Sequence, residues 1–236
     1  VLFFSNTAFS KFSIYATIIK EASMYAVCGI GMTFAIISGD FDLSVASQIA
    51  LSSVVFTAIV AKIAPGSPGL GIILSCLVVI ALGLVMGLVN GLLIARMRIP
   101  AFITTLAMQN VYRGLAQLVN DSPVAIATLG KGYLAFTSGA KEAIRWEVGE
   151  SLVFYGKGFA FTKLFGLPLF FYIMVALAVI GTIILRKTRL GRNILAIGNS
   201  KEAARIAGIN IPRTQVWIYV LVGLFTSLTA LMMTAN

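Results

Sequence analysis

The sequence predicts an all-α fold: a polytopic bundle of transmembrane helices, with about six complete spans in this chain at roughly 20 apolar residues each. Three observations carry the prediction. Hydrophobic residues make up 59% of the chain and charged residues 11%, with a mean hydropathy of +0.98, outside the range of soluble globular domains. Several charge-free windows are long enough to cross about 30 Å of hydrocarbon. The cations flank these windows instead of lying inside them. A transmembrane β-barrel needs short segments that alternate apolar and polar residues, whereas these windows are continuously apolar.

The chain opens on "VLFF", Val1 to Phe4, without a methionine, which reads as the tail of an apolar segment and not as a signal peptide with a basic start. The first window runs from Ala22 to Ser38. Gly39, Asp40 and Asp42 follow in "SGDFDLS". One of the two carboxylates is expected to cap the helix beginning near Leu43, where the helix dipole favours its charge. The second window is Leu43 to Ala61 and the third Gly69 to Ala95. In the third, Gly83, Gly87 and Gly91 make overlapping G-x-x-x-G steps on one face, so a neighbouring backbone can approach closely, within the subunit or across a dimer. Cys28 and Cys76 both fall inside windows and read as small packing residues, not as a disulfide.

The fourth window, Ile99 to Val119, is interrupted only by Arg113. Thr105, Gln109, Arg113 and Gln117 recur every fourth residue along one inclined stripe, with Asn110 beside it. A charge at the bilayer centre costs about 2.5 to 3.5 kcal/mol on insertion scales, so Arg113 is expected to face protein or water. Two roles stay open for it. It either snorkels to the outer interface or ties neighbouring helices, or it belongs to a hydrophilic wall for a polyhydroxyl solute. Neutral amides and hydroxyls suit a sugar, while a comparable stripe in an ion transporter would include a carboxylate.

Windows from Phe165 to Leu185 and from Thr214 to Ala235 complete the set. "SLTALMMTAN" stops as a span is barely complete, and the expectation is a fragment of a longer protein. The whole chain, 1–236, reads as one transmembrane domain.

A net charge of +10 raises nucleic acid as a partner, but the placement of the cations argues for a membrane instead. Arg186, Lys187, Arg189, Arg192, Lys201, Arg205 and Arg213 face the single acid Glu202 in one connection, and Arg96 and Arg98 sit in a short turn. By the positive-inside rule both are cytoplasmic. The outer connection, 120–164, nearly balances Lys131, Lys141, Arg145, Lys157 and Lys163 against Asp121, Glu142, Glu147 and Glu150. Its segment Lys141 to Glu150, with mixed charge and Trp146, reads either as a surface facing a partner or the interface or as a mobile loop.

The cytoplasmic connection, 187–213, contains "GNSKEAARIAGINIP". Asn199 followed three residues later by Glu202 reads as a capping box, alanines fill the interior, and Gly208 is a natural stop before Pro212. The product is a helix of about two turns, too short to persist alone in water, so something must hold it, either the ends of its own spans, as for a solvated connector, or a partner on which it docks. Its alanines allow close approach, and Lys201 and Arg205 are expected to meet acids on a partner.

Here the sequence resembles a family. "EAARIAG", Glu202 to Gly208, is similar to the EAA-x-x-x-G loop by which permease subunits of bacterial ABC importers engage their ATPase subunit. "INIP", Ile209 to Pro212, follows at once instead of after a spacer. That compressed form, "AIGNSKEAARIAGINIPR", resembles the branch for ribose, galactose, xylose and related small solutes. So do "GMTFAIISGDFDLSVAS" (Gly31 to Ser47), "GLVNGLLIARMRIPAFITTLAMQNVYRGLAQL" (Gly87 to Leu118) and "RKTRLGRNILAIG" (Arg186 to Gly198). The resemblance implies several things. Glu202, Ala203, Ala204, Arg205 and Gly208 would couple to the ATPase, and Asp40 or Asp42 would act near the inner mouth of the pathway. A second permease subunit, identical or related, would complete that pathway. An extracytoplasmic solute-binding protein would deliver a small hydrophilic solute, a monosaccharide such as ribose, across the bacterial cytoplasmic membrane. ATP and magnesium would reside on the ATPase, with no cofactor on this chain.

Enzymatic chemistries find no support. Without histidine there is no Ser-His-Asp triad and no HExxH zinc site, and two separated cysteines make no zinc cluster. "YGKG" around Lys157 lacks the upstream glycine and the Ser/Thr of a P-loop. The reading is therefore a translocation subunit and not an enzyme. Its rival is a secondary transporter or channel that needs no ATPase.

Overall fold

The computed structural model describes residues 12–63, 68–119, 163–164 and 167–235. The segment Lys141–Glu150 of the outer connection lies outside the described residues.

Long helices dominate: α1 (Phe12–Ile37), α2 (Val45–Ile63), α3 (Pro68–Met97), α4 (Ala101–Val119), α5 (Leu169–Lys187) and α8 (Ile211–Thr234), with two shorter helices, α6 (Arg189–Asn199) and α7 (Lys201–Ile206), between the last pair. Among the described residues, Leu70–Met97, Leu169–Lys187 and Ile211–Thr234 are long and apolar enough to cross a membrane, and Val45–Val60 is a shorter apolar helix. The expected count of six spans is thus carried in full by three. Helix α1 starts ten residues before its charge-free window, at Phe12, because Lys20 and Glu21 are straight-chain residues that a helix accepts readily. Helix α4 is diluted by its own polar stripe.

One small departure from all-α is a two-residue antiparallel ladder of β1 (Lys163–Leu164) and β2 (Leu167–Pro168). It delays α5, expected from Phe165, to Leu169. Pro168 is held in the extended conformation, with φ −62° and ψ 144°, immediately before the helix.

Helix α8 is the centre of the bundle: 56% of its spanning window is buried, against 11% for α5. Val222 and Phe225 join Met24, Val27 and Phe34 of α1, Phe170 of α5 and Ile194 of α6 in one core. On the opposite side α8 meets the glycine face of α3. A Cβ on Gly83 would stand 2.5 Å from the Gly223 carbonyl oxygen, and one on Gly91 2.8 Å from the Val216 Cα. One on Gly87 would overlap the Tyr219 carbonyl. The seam therefore closes within the chain, backbone on backbone. Cys28 and Cys76 are free thiols.

Candidate functional site

The ends of the helices that the charge pattern places in the cytoplasm converge on the turn between α1 and α2. Gly39 leaves α1 with φ +83°, and the turn closes by Gly39 N–H to the Ile36 carbonyl at 3.0 Å and Asp40 N–H to the Ala35 carbonyl at 3.0 Å. This is the Schellman arrangement, in which a left-handed residue satisfies the last helical carbonyls.

Asp40, nearly buried, then points at two other elements. Its Oδ1 accepts from Lys201 Nζ at 3.3 Å and its Oδ2 from Gln215 Nε2 at 3.0 Å. One carboxylate thereby joins the α1–α2 turn to α7 and α8. Lys201 is half exposed, so the ion pair by itself stabilises little, and its importance is positional.

Asp42 faces the other way, into a buried network. Its Oδ1 accepts from Ser44 N–H at 2.8 Å and from Ser44 Oγ at 2.6 Å; its Oδ2 accepts from Gln48 Nε2 at 3.3 Å and Asn90 Nδ2 at 3.4 Å. Ser44 Oγ in turn accepts from Gln48 at 2.7 Å and Asn90 at 2.9 Å, and the Tyr112 hydroxyl lies 2.9 Å from Asn90 Oδ1. Burial pushes the Asp42 carboxyl above its ordinary range, opposed by the donors from Ser44, Asn90 and Gln48. All four hydrogen bonds that reach it come from donors, and each favours the charged form against the burial that opposes it. One of the pair was expected to cap α2, but Asp42 bonds the N–H of Ser44, the residue just before the helix, and no N–H inside the helix, and Asp40 turns away to Lys201 and Gln215. Asp42→Asn would aim amide hydrogens at donors. It is expected to lower stability by about 1 to 3 kcal/mol, read as a drop in the melting temperature of the purified protein.

The connection between α5 and α8 is more ordered than the sequence predicts. Helix α6 was not anticipated, although its signals are present. The Thr188 hydroxyl donates to the Ile184 carbonyl at 2.6 Å and accepts from Gly191 N–H at 3.1 Å, ending α5 and starting α6 at one residue. Gly191, Ile194 and Ile197 form the buried face, and Gly198 lies so close that a Cβ there would overlap the Ile37 carbonyl at the end of α1.

Helix α7 is capped by Ser200 and not by Asn199: the Ser200 hydroxyl accepts from Ala203 N–H at 3.2 Å. Asn199 is used up as the last residue of α6, and Glu202 pairs with Arg205 at 2.9 Å instead of closing a capping box. Lys201 and Arg205, expected to meet acids on a partner, thus both have acids within the chain. Gly208 ends α7 with φ +78° and a second Schellman pair, Gly208 N–H to Arg205 and Ile209 N–H to Ala204. Asn210 then caps α8 by accepting from Arg213 N–H at 3.0 Å, with Pro212 in the first turn. "GINIP" is therefore a stop and a restart separated by one residue. Ala204 is 2% exposed and packs on its own chain, so it is not on the open face of α7. That face holds Glu202, Ala203, Arg205 and Ile206, the last 81% exposed. Sequence reasoning passed over Ile206, whose signal was an isoleucine on a short helix otherwise polar or small.

The stripe on α4 runs from inside to outside. Thr105 is buried and donates to the Ala101 carbonyl at 2.8 Å; Gln109 is half-buried; Asn110, Arg113 and Gln117 are exposed. The face that packs on the bundle is Thr104, Tyr112 and Ala116, one step round the helix. A cavity of about 360 Å³ between Phe56, Cys76, Phe170, Leu177, Leu228 and Met232 offers no polar side chain to a hydrophilic solute.

Residues 14–236 match the family described as branched-chain amino acid transport system / permease component. Over 219 residues the chain is 39% identical to the L-arabinose transport system permease protein AraH of Escherichia coli (strain K12), covering 91% of this chain and 56% of that protein. It is 32% identical over 224 residues to the ribose import permease protein RbsC of the same strain, covering 93% and 60%. It is 27% identical over 258 residues to the xylose transport system permease protein XylH of Haemophilus influenzae, covering 94% and 68%. The chain spans little more than half the length of the first of these curated relatives. No solved structure matches it.

Proposed function

Because the chain belongs to the family of branched-chain amino acid transport system permease components, we propose that it is the translocating part of an ATP-driven importer for a monosaccharide. Hydrolysis of ATP, with magnesium, takes place on a separate ATPase subunit, a second permease subunit completes the pathway, and a solute-binding protein delivers from outside. The assembly works in the bacterial cytoplasmic membrane as a bundle of six spans. The sugar class rests on relatives named for arabinose, ribose and xylose. That variety favours no single pentose, ribose included. Neutral Thr105, Gln109, Asn110 and Gln117 fit a polyhydroxyl solute, with Arg113 at the exposed end of the same stripe.

The observation that carries the proposal is the Asp40 clamp. Helix α7 is fixed to the bundle on one side by Lys201 and Ala204 and presents Ile206 on the other. A displacement of α7 by the ATPase is delivered to Asp40. Two residues further along the turn stands Asp42, whose network reaches Asn90 of α3 and Tyr112 of α4. Helix α4 carries the stripe, so alternating access is a rocking of α4 and α8 driven from α7.

Two measurements test this. Ile206→Asp places a charge on the docking face without touching the bundle, and it is expected to strip the ATPase from the purified transporter while insertion is unchanged. An ATPase retained at normal yield by the variant would remove Ile206 from the docking face, whereas one that never accompanies the full-length protein would favour the secondary transporter. Cysteines at Gln109 and Arg113 are expected to react with a small polar thiol reagent at rates that differ severalfold between ATP-trapped and free states. Identical rates in both states would assign the stripe to packing. Titrating the binding protein with pentoses, hexoses and branched-chain amino acids decides the solute class.

A further inference from the structure

At the cytoplasmic end of the α3–α8 seam lies a groove of about 550 Å³ lined by Leu92, Arg96, Asn210, Arg213, Val216 and Trp217 among others. Arg96 and Arg213 are both exposed at its mouth, and neither has an ion-pair partner among the described residues. Trp217 is 49% exposed. An indole beside guanidinium groups at the end of an apolar span is the composition of a membrane interface.

What continues from the groove decides its occupant. Leu92, Leu88 and Val85 follow Arg96 at helical spacing on one ridge of α3, and they are 37%, 40% and 54% exposed. From Arg96 to Val85 the ridge is about 16 Å long at 1.5 Å per residue, close to half of the ~30 Å hydrocarbon core. The feature is thus a basic pocket with an apolar track the length of one leaflet. An acidic protein segment would need the pocket and have no use for the track. A neutral lipid would use the track and leave two guanidiniums without an anion.

We propose that this groove is a binding site for an anionic phospholipid of the cytoplasmic leaflet. Its headgroup phosphate sits between Arg96 and Arg213, and its acyl chain lies along Leu92, Leu88 and Val85. Guanidinium suits the phosphate because its donors form a planar fork that matches two phosphate oxygens. Each basic side chain near the surface enriches an anionic lipid by roughly fivefold, so the pair gives an enrichment of at least roughly tenfold after screening. The site depends only on α3 and α8 crossing the membrane and stands whether or not an ATPase partner is found.

Trp217 is the reporter. The full-length protein is reconstituted in phosphatidylcholine vesicles containing a low, equal mole fraction of chain-brominated phosphatidylglycerol or chain-brominated phosphatidylcholine. The quenching that disappears in Trp217→Phe is then compared between the two. The expected result is severalfold greater quenching by phosphatidylglycerol, an excess that falls to parity in the Arg96→Gln/Arg213→Gln variant. High salt is expected to diminish the same excess in the unaltered protein, which provides the test if the double variant does not insert. Equal quenching by both lipids overturns the proposal. So does an excess abolished by soluble glycerol phosphate, which marks a small-anion site without a lipid track. Quenching by neither lipid also overturns it, since a second permease copy or another protein then covers the groove.

Discussion

Gly87→Leu is expected to prevent assembly of the bundle, with little monodisperse protein extracted in mild detergent. The cause lies on the seam between α3 and α8, where a Cβ on Gly87 would overlap the Tyr219 carbonyl and stand 3.0 Å from the Val220 Cα. Those are backbone atoms, which no change of rotamer can move aside. Overpacking a core with movable side chains costs about 1 to 3 kcal/mol, and a clash of backbone on backbone belongs at or above the top of that range. Against a total stability of about 5 to 15 kcal/mol, that is a large fraction. Gly29→Leu is the control: it also lies in a long helix, but nothing stands within 4 Å of its Cβ position. Equal yields and melting temperatures for the two variants would remove the seam from its central place in the fold.

Gly208→Val is expected to abolish uptake and ATPase retention while leaving membrane insertion intact. Nothing lies within 4 Å of a Cβ at Gly208, so crowding does not enter; the whole cost comes from φ +78°. For an L-residue the left-handed region costs about 1 to 2 kcal/mol, and a β-branched residue stands at the unfavourable end. A six-residue helix has no stability of its own to absorb that cost. The Schellman bonds from Gly208 and Ile209 are lost together, and Ile206 is presented in the wrong direction. Asn tolerates the left-handed region, so Gly208→Asn is expected to restore most of the uptake. A valine variant that transports normally, or an asparagine variant as defective as the valine, would show that backbone conformation at this residue does not position the docking helix.

Much of this was legible in the chain, for identifiable reasons. Apolar windows located the long helices because burial in lipid or core imposes itself on composition. Gly208 was legible as a stop because its requirement is local, a backbone angle that one residue supplies. The glycine seam could be read as a close contact, but its partner could not, since α8 lies more than a hundred residues further along. Ser200 displaced Asn199 as the cap because α6, packed through Gly191 on the end of α5 and through Gly198 on the distant Ile37 carbonyl, continues through Asn199. The same long-range packing turned Ala204 inward and left Ile206 open. Pairings such as Asp40 with Lys201 and Gln215 leave no periodic trace at all, because each requires three elements to meet.

The glycine seam also sets an order of events during synthesis. Its two sides are Gly83, Gly87 and Gly91 on α3 and Val216, Tyr219 and Gly223 on α8. When α3 leaves the ribosome, its partner is still roughly 130 residues away, which corresponds to a delay on the order of ten seconds at typical elongation rates. Throughout that interval the small-residue face of α3 lacks the partner that covers it in the finished bundle. A small-residue face of this kind is also the surface by which membrane helices of different chains associate. Crowded nascent permeases therefore have a window for pairing α3 with α3 before α8 arrives, and the arrival of α8 is the step that makes the subunit commit to itself.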